Sequence, residues 1–201
     1  MTTHLARIAP PILLLALLSS CSLTSTQPPP FTTSEHRGHN GVSELTNWQL
    51  KGKLGFKTPS TGGSASIQWM QLQDDYQITL RGPFLTGLAT IIGNHQIAEL
   101  KTNGKFIRQA PEQLFAELTG LSITVNQLQN WLKGVPSGGA SEASTIEYNS
   151  DGTIAEFTQN HWQISLSNYQ QVNAVKLPKK IVGQRDDISF KLIVSRWTAA
   201  F

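Results

Sequence analysis

The chain has 201 residues, with 16 Lys or Arg against 13 Asp or Glu, a single cysteine and a hydrophobic share of 39%. One cysteine excludes an intrachain disulfide framework, so the fold must rest on its own core. The pI of about 9.1 comes with no basic cluster or stripe along the sequence, which argues against a nucleic-acid partner.

Arg7 and the apolar run Ile12–Leu18 (ILLLALL) open the chain. The run is far shorter than the ~20 residues a spanning helix requires, and Leu18-Ser19-Ser20-Cys21 follows it, the small-residue layout of an export signal. Residues 1–20 therefore read as a lipoprotein signal peptide, with Cys21 carrying a thioether-linked diacylglycerol and an N-acyl chain. An ordinary cleaved signal that happens to precede a cysteine is the alternative. Loss of residues 1–20 leaves 15 basic against 13 acidic residues, close to neutral.

Residues 21–42 are rich in Ser, Thr and Pro and lack apolar periodicity, so they read as the lipidated cysteine and a flexible tether. Some twenty residues at roughly 3 Å each can lift a domain a few tens of ångströms from a bilayer. His36 and His39 lie in this tether with no rigid element or third ligand beside them, the pattern of solvated linker residues.

From Trp48 the pattern turns to period two. Trp48, Leu50, Leu54 and Phe56 share one strand face; Ala65, Ile67 and Trp69 share a second, and Tyr76, Ile78 and Leu80 a third. Turns are expected at Gly62-Gly63 and Asp74-Asp75. Further strands are expected at Leu88–Ile92, Gln96–Lys101 and Lys105–Arg108, with Gly93-Asn94 and Asn103-Gly104 as hairpin signals.

The meander then breaks. Pro111, with Leu114, Phe115 and Leu118 at helical spacing and Gly120 as a stop, predicts one helix. Thr124 with Gln127 forms a capping-box pattern before Val125, Leu128 and Leu132, and Gly134 and Pro136 end this second helix. Trp131 lies off the cleanest helical stripe and suits either a cavity cap or simple packing. Strands resume at Ile146–Tyr148, Ile154–Phe157, Trp162–Leu166, Val175–Leu177 and Ile188–Val194. Residues 43–201 thus read as one mainly β domain with an α insert, long enough to bury a sizeable core.

No catalytic constellation is visible. Asp74-Asp75 and Asp186-Asp187 fall at predicted turns, where Asp is a turn former. His95 and His161 have no partner at a metal-ligand spacing, and neither a phosphate cradle nor a G-x-S-x-G elbow is present. The expectation is a non-enzyme with no metal and no cofactor other than the covalent lipid on Cys21. The notable oddity is the turn Arg81–Gly87 (RGPFLTG), which carries two large apolar residues where turns are usually polar.

The stretches NWQLKGKLGF, ITLRGPFLTGLATI and LTGLSITVNQLQNWLKGVP resemble the LolB family of outer-membrane lipoprotein receptors, from about Trp48 to Trp197. The resemblance implies an open (half) antiparallel β-barrel covered by helices around a hydrophobic cavity. It implies a monomeric receptor, anchored on the inner leaflet of the outer membrane and facing the periplasm. Such a receptor accepts lipoproteins from the periplasmic carrier LolA and inserts them into that leaflet without nucleotide hydrolysis. Ser22 after the cysteine is compatible with outer-membrane sorting in such systems. The family's protruding loop carries an exposed leucine in a Pro-Leu-Gly context; here the corresponding residues are Pro83, Phe84 and Leu85. Position favours Phe84 in the leucine's role and residue type favours Leu85. Candidates for lining the acyl cavity are Trp48, Leu50, Leu54, Phe56, Ile67, Trp69, Ile78, Leu80, Leu114, Leu118, Leu128 and Trp131. A structural or envelope-assembly lipoprotein without an acyl cavity is the competing reading.

Overall fold

The computed structural model describes residues 40–82 and 87–200. A short helix α1 (Asn40–Ser43) leads into a six-strand meander: β1 (Asn47–Lys57), β2 (Gly62–Leu72), β3 (Asp75–Gly82), β4 (Gly87–Gly93), β5 (Ala98–Thr102) and β6 (Lys105–Gln109). Helices α2 (Pro111–Thr119) and α3 (Val125–Lys133) follow. The chain then returns through β7 (Thr145–Tyr148), β8 (Ile154–Gln159), β9 (Trp162–Ser167), β10 (Gln170–Val172), β11 (Val175–Leu177), β12 (Lys180–Arg185) and β13 (Ile188–Ala200).

Eleven strands form one sheet in the order β6-β5-β4-β3-β2-β1-β13-β12-β9-β8-β7, while β10 and β11 pair only with each other. All pairings are antiparallel. The edges β6 and β7 do not pair, so the sheet is open rather than closed, the expected half-barrel class. The first and last long strands meet at its centre, where β1 runs against β13 from Asn47–Ala200 to Lys57–Ser189. A bulge interrupts that pairing between Lys51 and Gly52, and the Ser195 hydroxyl donates to the Lys51 carbonyl at 2.9 Å across it.

Alternation decides which face is buried. In β1, Trp48, Leu50, Leu54 and Phe56 are buried while Lys51, Lys53 and Lys57 are exposed. The helices cover that inner face, and their ends follow the expected chemistry. Thr124 and Gln127 make the reciprocal capping box, and Gly120 (φ 71°) and Gly134 (φ 88°) close the two helices in the left-handed region. Asn103-Gly104 and Asn160-His161 are two-residue turns with positive φ throughout.

Several boundaries differ from the sequence reading. Val42, assigned to the tether, is 3% exposed in the core, so the packed body begins at α1. Gly62 and Gly63 are not a turn: they open β2 opposite Lys57 and Phe56, and the reversal lies at Thr58–Thr61, where the Thr58 hydroxyl accepts from the Thr61 N–H. Asp75 and Gly93 likewise belong to strands. β12 was not anticipated, because Pro178, Lys179, Lys180 and Gly183 obscure its alternation. Gly183 is there for space, since a Cβ at this position would overlap the Phe190 ring. All described core residues lie between Val42 and Trp197, so a chain starting at Ser22 contains the whole of that core.

Gly183→Ala is expected to cost about 1–3 kcal/mol in urea unfolding by displacing Phe190. Gly55→Ala, whose added Cβ would sit 3.9 Å from the nearest carbonyls, should stay within about 0.5 kcal/mol of the parent.

Candidate functional site

The candidate acyl-contacting residues assemble on one face. Leu50, Trp69 and Ile78 stand in one cross-strand row, and Ile67 and Leu80 in the next. Leu114 and Leu118 come down from α2, Leu128 and Trp131 from α3. Eleven of the twelve candidates are between 0 and 7% exposed, and Leu118 is half-buried against them. These side chains form a buried apolar interior.

Two aromatic groups organise this interior. At the Asn47 end, Trp48 packs against Trp69 and Trp197 with ring centroids 5.5 and 5.4 Å apart, and Trp69 continues to Tyr76. Beneath α3, Trp131 stacks on Phe190 at 6.3 Å with rings nearly parallel, and also contacts Phe157 and Trp162. Trp131 is fully buried among these rings. Its indole N–H donates to Gln159 Oε1 at 2.8 Å. The same oxygen accepts from the Ser137 N–H at 3.0 Å, while Gln159 Nε2 donates to the Ser137 carbonyl at 2.7 Å. The sequence reading missed Gln159. Its signal would have been a polar residue on the inward parity of a strand, where only a specific partner justifies burial.

The interior also holds polar atoms without hydrogen-bond partners among the described residues: Trp48 Nε1, Tyr76 OH and Gln129 Oε1. Burial first, then the carboxylate of Glu112, pushes the Tyr76 phenol well above its ordinary range. Lys133, in the last turn of α3, is 6% exposed, and burial lowers its ammonium pKa.

Elsewhere the polar chemistry is that of turns. His95 pairs with Asp74 at 3.4 Å across two exposed hairpin ends. Asp151, in the β7–β8 turn, is held well below the ordinary carboxylate range, chiefly by hydrogen bonds from Lys176 of β11 and from Thr153 of the same turn. Asp186 adopts positive φ in the two-residue β12–β13 turn. No three His, Cys, Asp or Glu residues converge among the described residues.

A one-faced antiparallel sheet whose apolar side is roofed by two short helices is the arrangement the resemblance implied, and sequence comparison decides the family. The family model for Outer membrane lipoprotein LolB matches residues 46–197. The chain belongs to the LolB family. It is 31% identical over 192 residues to the outer-membrane lipoprotein LolB of Ectopseudomonas mendocina, covering 92% of each chain. It is 32% identical over 158 residues to that of Pseudomonas fluorescens, covering 78% of this chain and 76% of the relative. Among solved structures, a LolA superfamily protein from Nitrosomonas europaea shares the fold with a TM-score of 0.51 at 10% identity, covering 78% of this chain and 87% of the other. A DUF1329 family protein from Desulfovibrio piger gives 0.53 at 8% identity, covering 79% and 88%.

Cys21 and the loop residues Pro83, Phe84 and Leu85 lie outside the described residues. The flanking pair is described: Gly82 faces Gly87 at the end of the β3–β4 ladder, so four residues connect these strands.

Lys133→Met is expected to raise the urea midpoint at neutral pH. A lowered folded-state pKa means that the charged form penalises the fold below that pKa, and that the unfolded chain binds more protons between the folded and unfolded values. The gain should therefore shrink as pH climbs towards the ordinary lysine range, which unfolding series at stepped pH will show.

Proposed function

We propose that this LolB-family chain is a lipid-anchored receptor of the outer membrane, facing the periplasm from the inner leaflet. In this reading it takes lipoproteins from the carrier LolA and passes them into that leaflet. The supporting observation is that eight apolar candidates on the inner face of β1–β3 and four on α2 and α3 belong to one buried apolar cluster. Cys21 would carry the anchor, and its three acyl chains would hold where one gives only marginal binding.

The energetics favour a shielded hand-off. At about 0.8 kcal/mol per buried CH₂, a ~16-carbon chain loses on the order of 12 kcal/mol on entering water, so free release is too slow. An interior of Trp, Leu, Ile and Phe offsets most of that cost. Transfer then runs downhill if this interior binds acyl chains more tightly than the carrier and less tightly than the bilayer.

In this reading an acyl chain reaches the buried inner face by displacement of the helical roof. α2 packs against β5 and α3, whereas α3 is fixed through Trp131 to β8, β9 and β13. Residues on β1–β3 between these two attachments are the ones an incoming chain would meet. Binding of a fluorescent sixteen-carbon probe to the chain from Ser22 should deprotect α2 and α3 amides to hydrogen exchange while β1 and β13 stay protected. Probe binding with unchanged exchange in both helices would remove the lid reading.

Phe84 and Leu85, at the four-residue β3–β4 connection, are the proposed point of entry into the lipid interface. Phe84→Glu with Leu85→Glu should leave uptake of acylated cargo from loaded carrier intact and slow its release into vesicles at least tenfold. A normal insertion rate would show that the loop has no part in delivery.

A further inference from the structure

The outer face of the sheet gathers charge that the sequence scatters. Lys51 and Lys53 of β1, Arg81 of β3, and Lys191 and Arg196 of β13 are all exposed there. The register sets Lys51 beside Arg196, and Lys53 in one row with Ser66 and Arg81. β1, β2 and β13 contain no acidic residue, and Asp75, the one acid of β3, sits at the far end of its strand. None of the five cations joins an ion pair among the described residues. A chain nearly neutral after its first twenty residues thus presents a one-sign face, contrary to the expectation that it holds no basic cluster.

Two further features point to what meets this face. Between Lys51 and Arg81 lies a depression of about 300 Å³, floored by Gly52 and edged by the hydroxyl residues Ser66, Thr79 and Ser195. Cations with the Ser66 and Thr79 hydroxyls around a shallow recess suit a phosphate. The rows then run from the cations into exposed apolar side chains: Arg81 stands beside Leu88 (43% exposed) and Lys101 beside Phe106 (62% exposed) on the edge strand β6. Lys101 Nζ lies 5.1 Å from the Phe106 ring centre. Glu99, next to Arg108, is the acid on this corner. Phosphate-seeking cations continuing into exposed aromatic and aliphatic groups are the composition of an interfacial membrane-binding surface.

We propose that the outer face of β13, β1, β2 and β3, with the Leu88–Phe106 corner, lies against an anionic phospholipid bilayer. This contact is additional to the lipid anchor and to the β3–β4 connection, and it rests on the membrane-anchored reading above. The tether permits it. The 18 residues between Cys21 and Asn40 span at most roughly 60 Å, more than the ~35 Å length of an eleven-residue strand.

The test uses the chain from Ser22, without the anchor, in vesicle co-sedimentation, so that binding is read independently of the delivery function. Vesicles of phosphatidylethanolamine with one quarter phosphatidylglycerol should bind it at least tenfold more tightly than phosphatidylcholine vesicles, and about 0.5 M salt should abolish the difference. Lys51→Gln with Lys53→Gln should weaken anionic binding roughly tenfold. Lys176→Gln with Lys179→Gln, the same charge change elsewhere, should stay within about twofold. Phe84→Ser with Leu85→Ser should keep the anionic preference even where delivery fails, which separates this surface from the loop. Equal binding to both vesicle types, or equal losses from the two lysine pairs, would overturn the proposal. So would a Lys51/Lys53 variant that binds vesicles normally but no longer captures the LolA carrier, since the face would then belong to a protein partner.

Discussion

The pairing of β1 with β13 is the constraint that the rest of the molecule inherits. Each half of the chain makes its own meander, and only this central ladder, eleven residue pairs long, fuses them into one sheet. The contact joins residues near opposite ends of the domain, so its loop-closure entropy is met only once both halves are in place. It also fixes which face is which. Because side chains alternate, aligning Leu54 with Leu192 and Phe56 with Phe190 commits both meanders to one inner side. A one-residue slip would turn Lys53 and Lys191 inward. The Lys51–Gly52 bulge sits within this ladder, and Gly52 allows the close approach of the Ile193 carbonyl there.

In the proposed reading, that shared inner face serves two roles that conflict. As a core it is dense, with the aromatic stack under α3 and the tryptophan group at the Asn47 end leaving its residues almost inaccessible. As the proposed container for a hydrocarbon chain it would have to open. The conflict is eased by how the roof is fastened, because the helices are nine residues each and tied to different parts of the sheet. Helices this short derive their stability from packing rather than propensity. The closed state is also imperfect in its polar accounting: Trp48 Nε1, Tyr76 OH and Gln129 Oε1 lack partners, and each such group costs about 1–3 kcal/mol. Lys133 adds a desolvated cation at the end of α3. These penalties fall on the form described here, and the proposed opening would relieve those of the groups that gain water.

Much of this was legible from residues alone, for identifiable reasons. Period-two alternation in Trp48–Phe56 and in Ala65–Trp69 reports a half-buried strand directly, and the Thr124–Gln127 box and Gly134 fix the ends of α3 by local hydrogen bonding. What failed depends on distant partners. Gly62-Gly63 has the look of a turn, yet it pairs with Phe56 and Lys57 because the Thr58–Thr61 hydrogen bonds reverse the chain first. β12 is obscured by Gly183, which is required by a ring arriving from β13. Gln159 reads as a polar strand end until Trp131 and Ser137 are brought beside it. The twelve apolar candidates could be named individually, but that the interior is filled in this state depends on side chains from both meanders and both helices at once.

Charge follows the same logic on the other side of the sheet. Along the sequence, Lys51, Arg81, Lys191 and Arg196 are unremarkable single cations, and net charge near zero hides them. Strand register brings them together, because the Asp and Glu residues fall largely in turns, in helices and on β7 and β8, away from the central strands. Such segregation has a cost, since like charges repel across neighbouring strands. Exposure keeps that cost small: in high dielectric and salt the mutual repulsion is screened. An anionic surface, by contrast, meets all the cations together, and its attraction sums over them. The two faces therefore divide the work by dielectric. The apolar side suits uncharged hydrocarbon, while the cationic side would act only over a Debye length and, in the proposed reading, hold orientation rather than cargo. A receptor of the proposed kind would use both, because a chain leaving the inner face would have to find the bilayer within reach before water does.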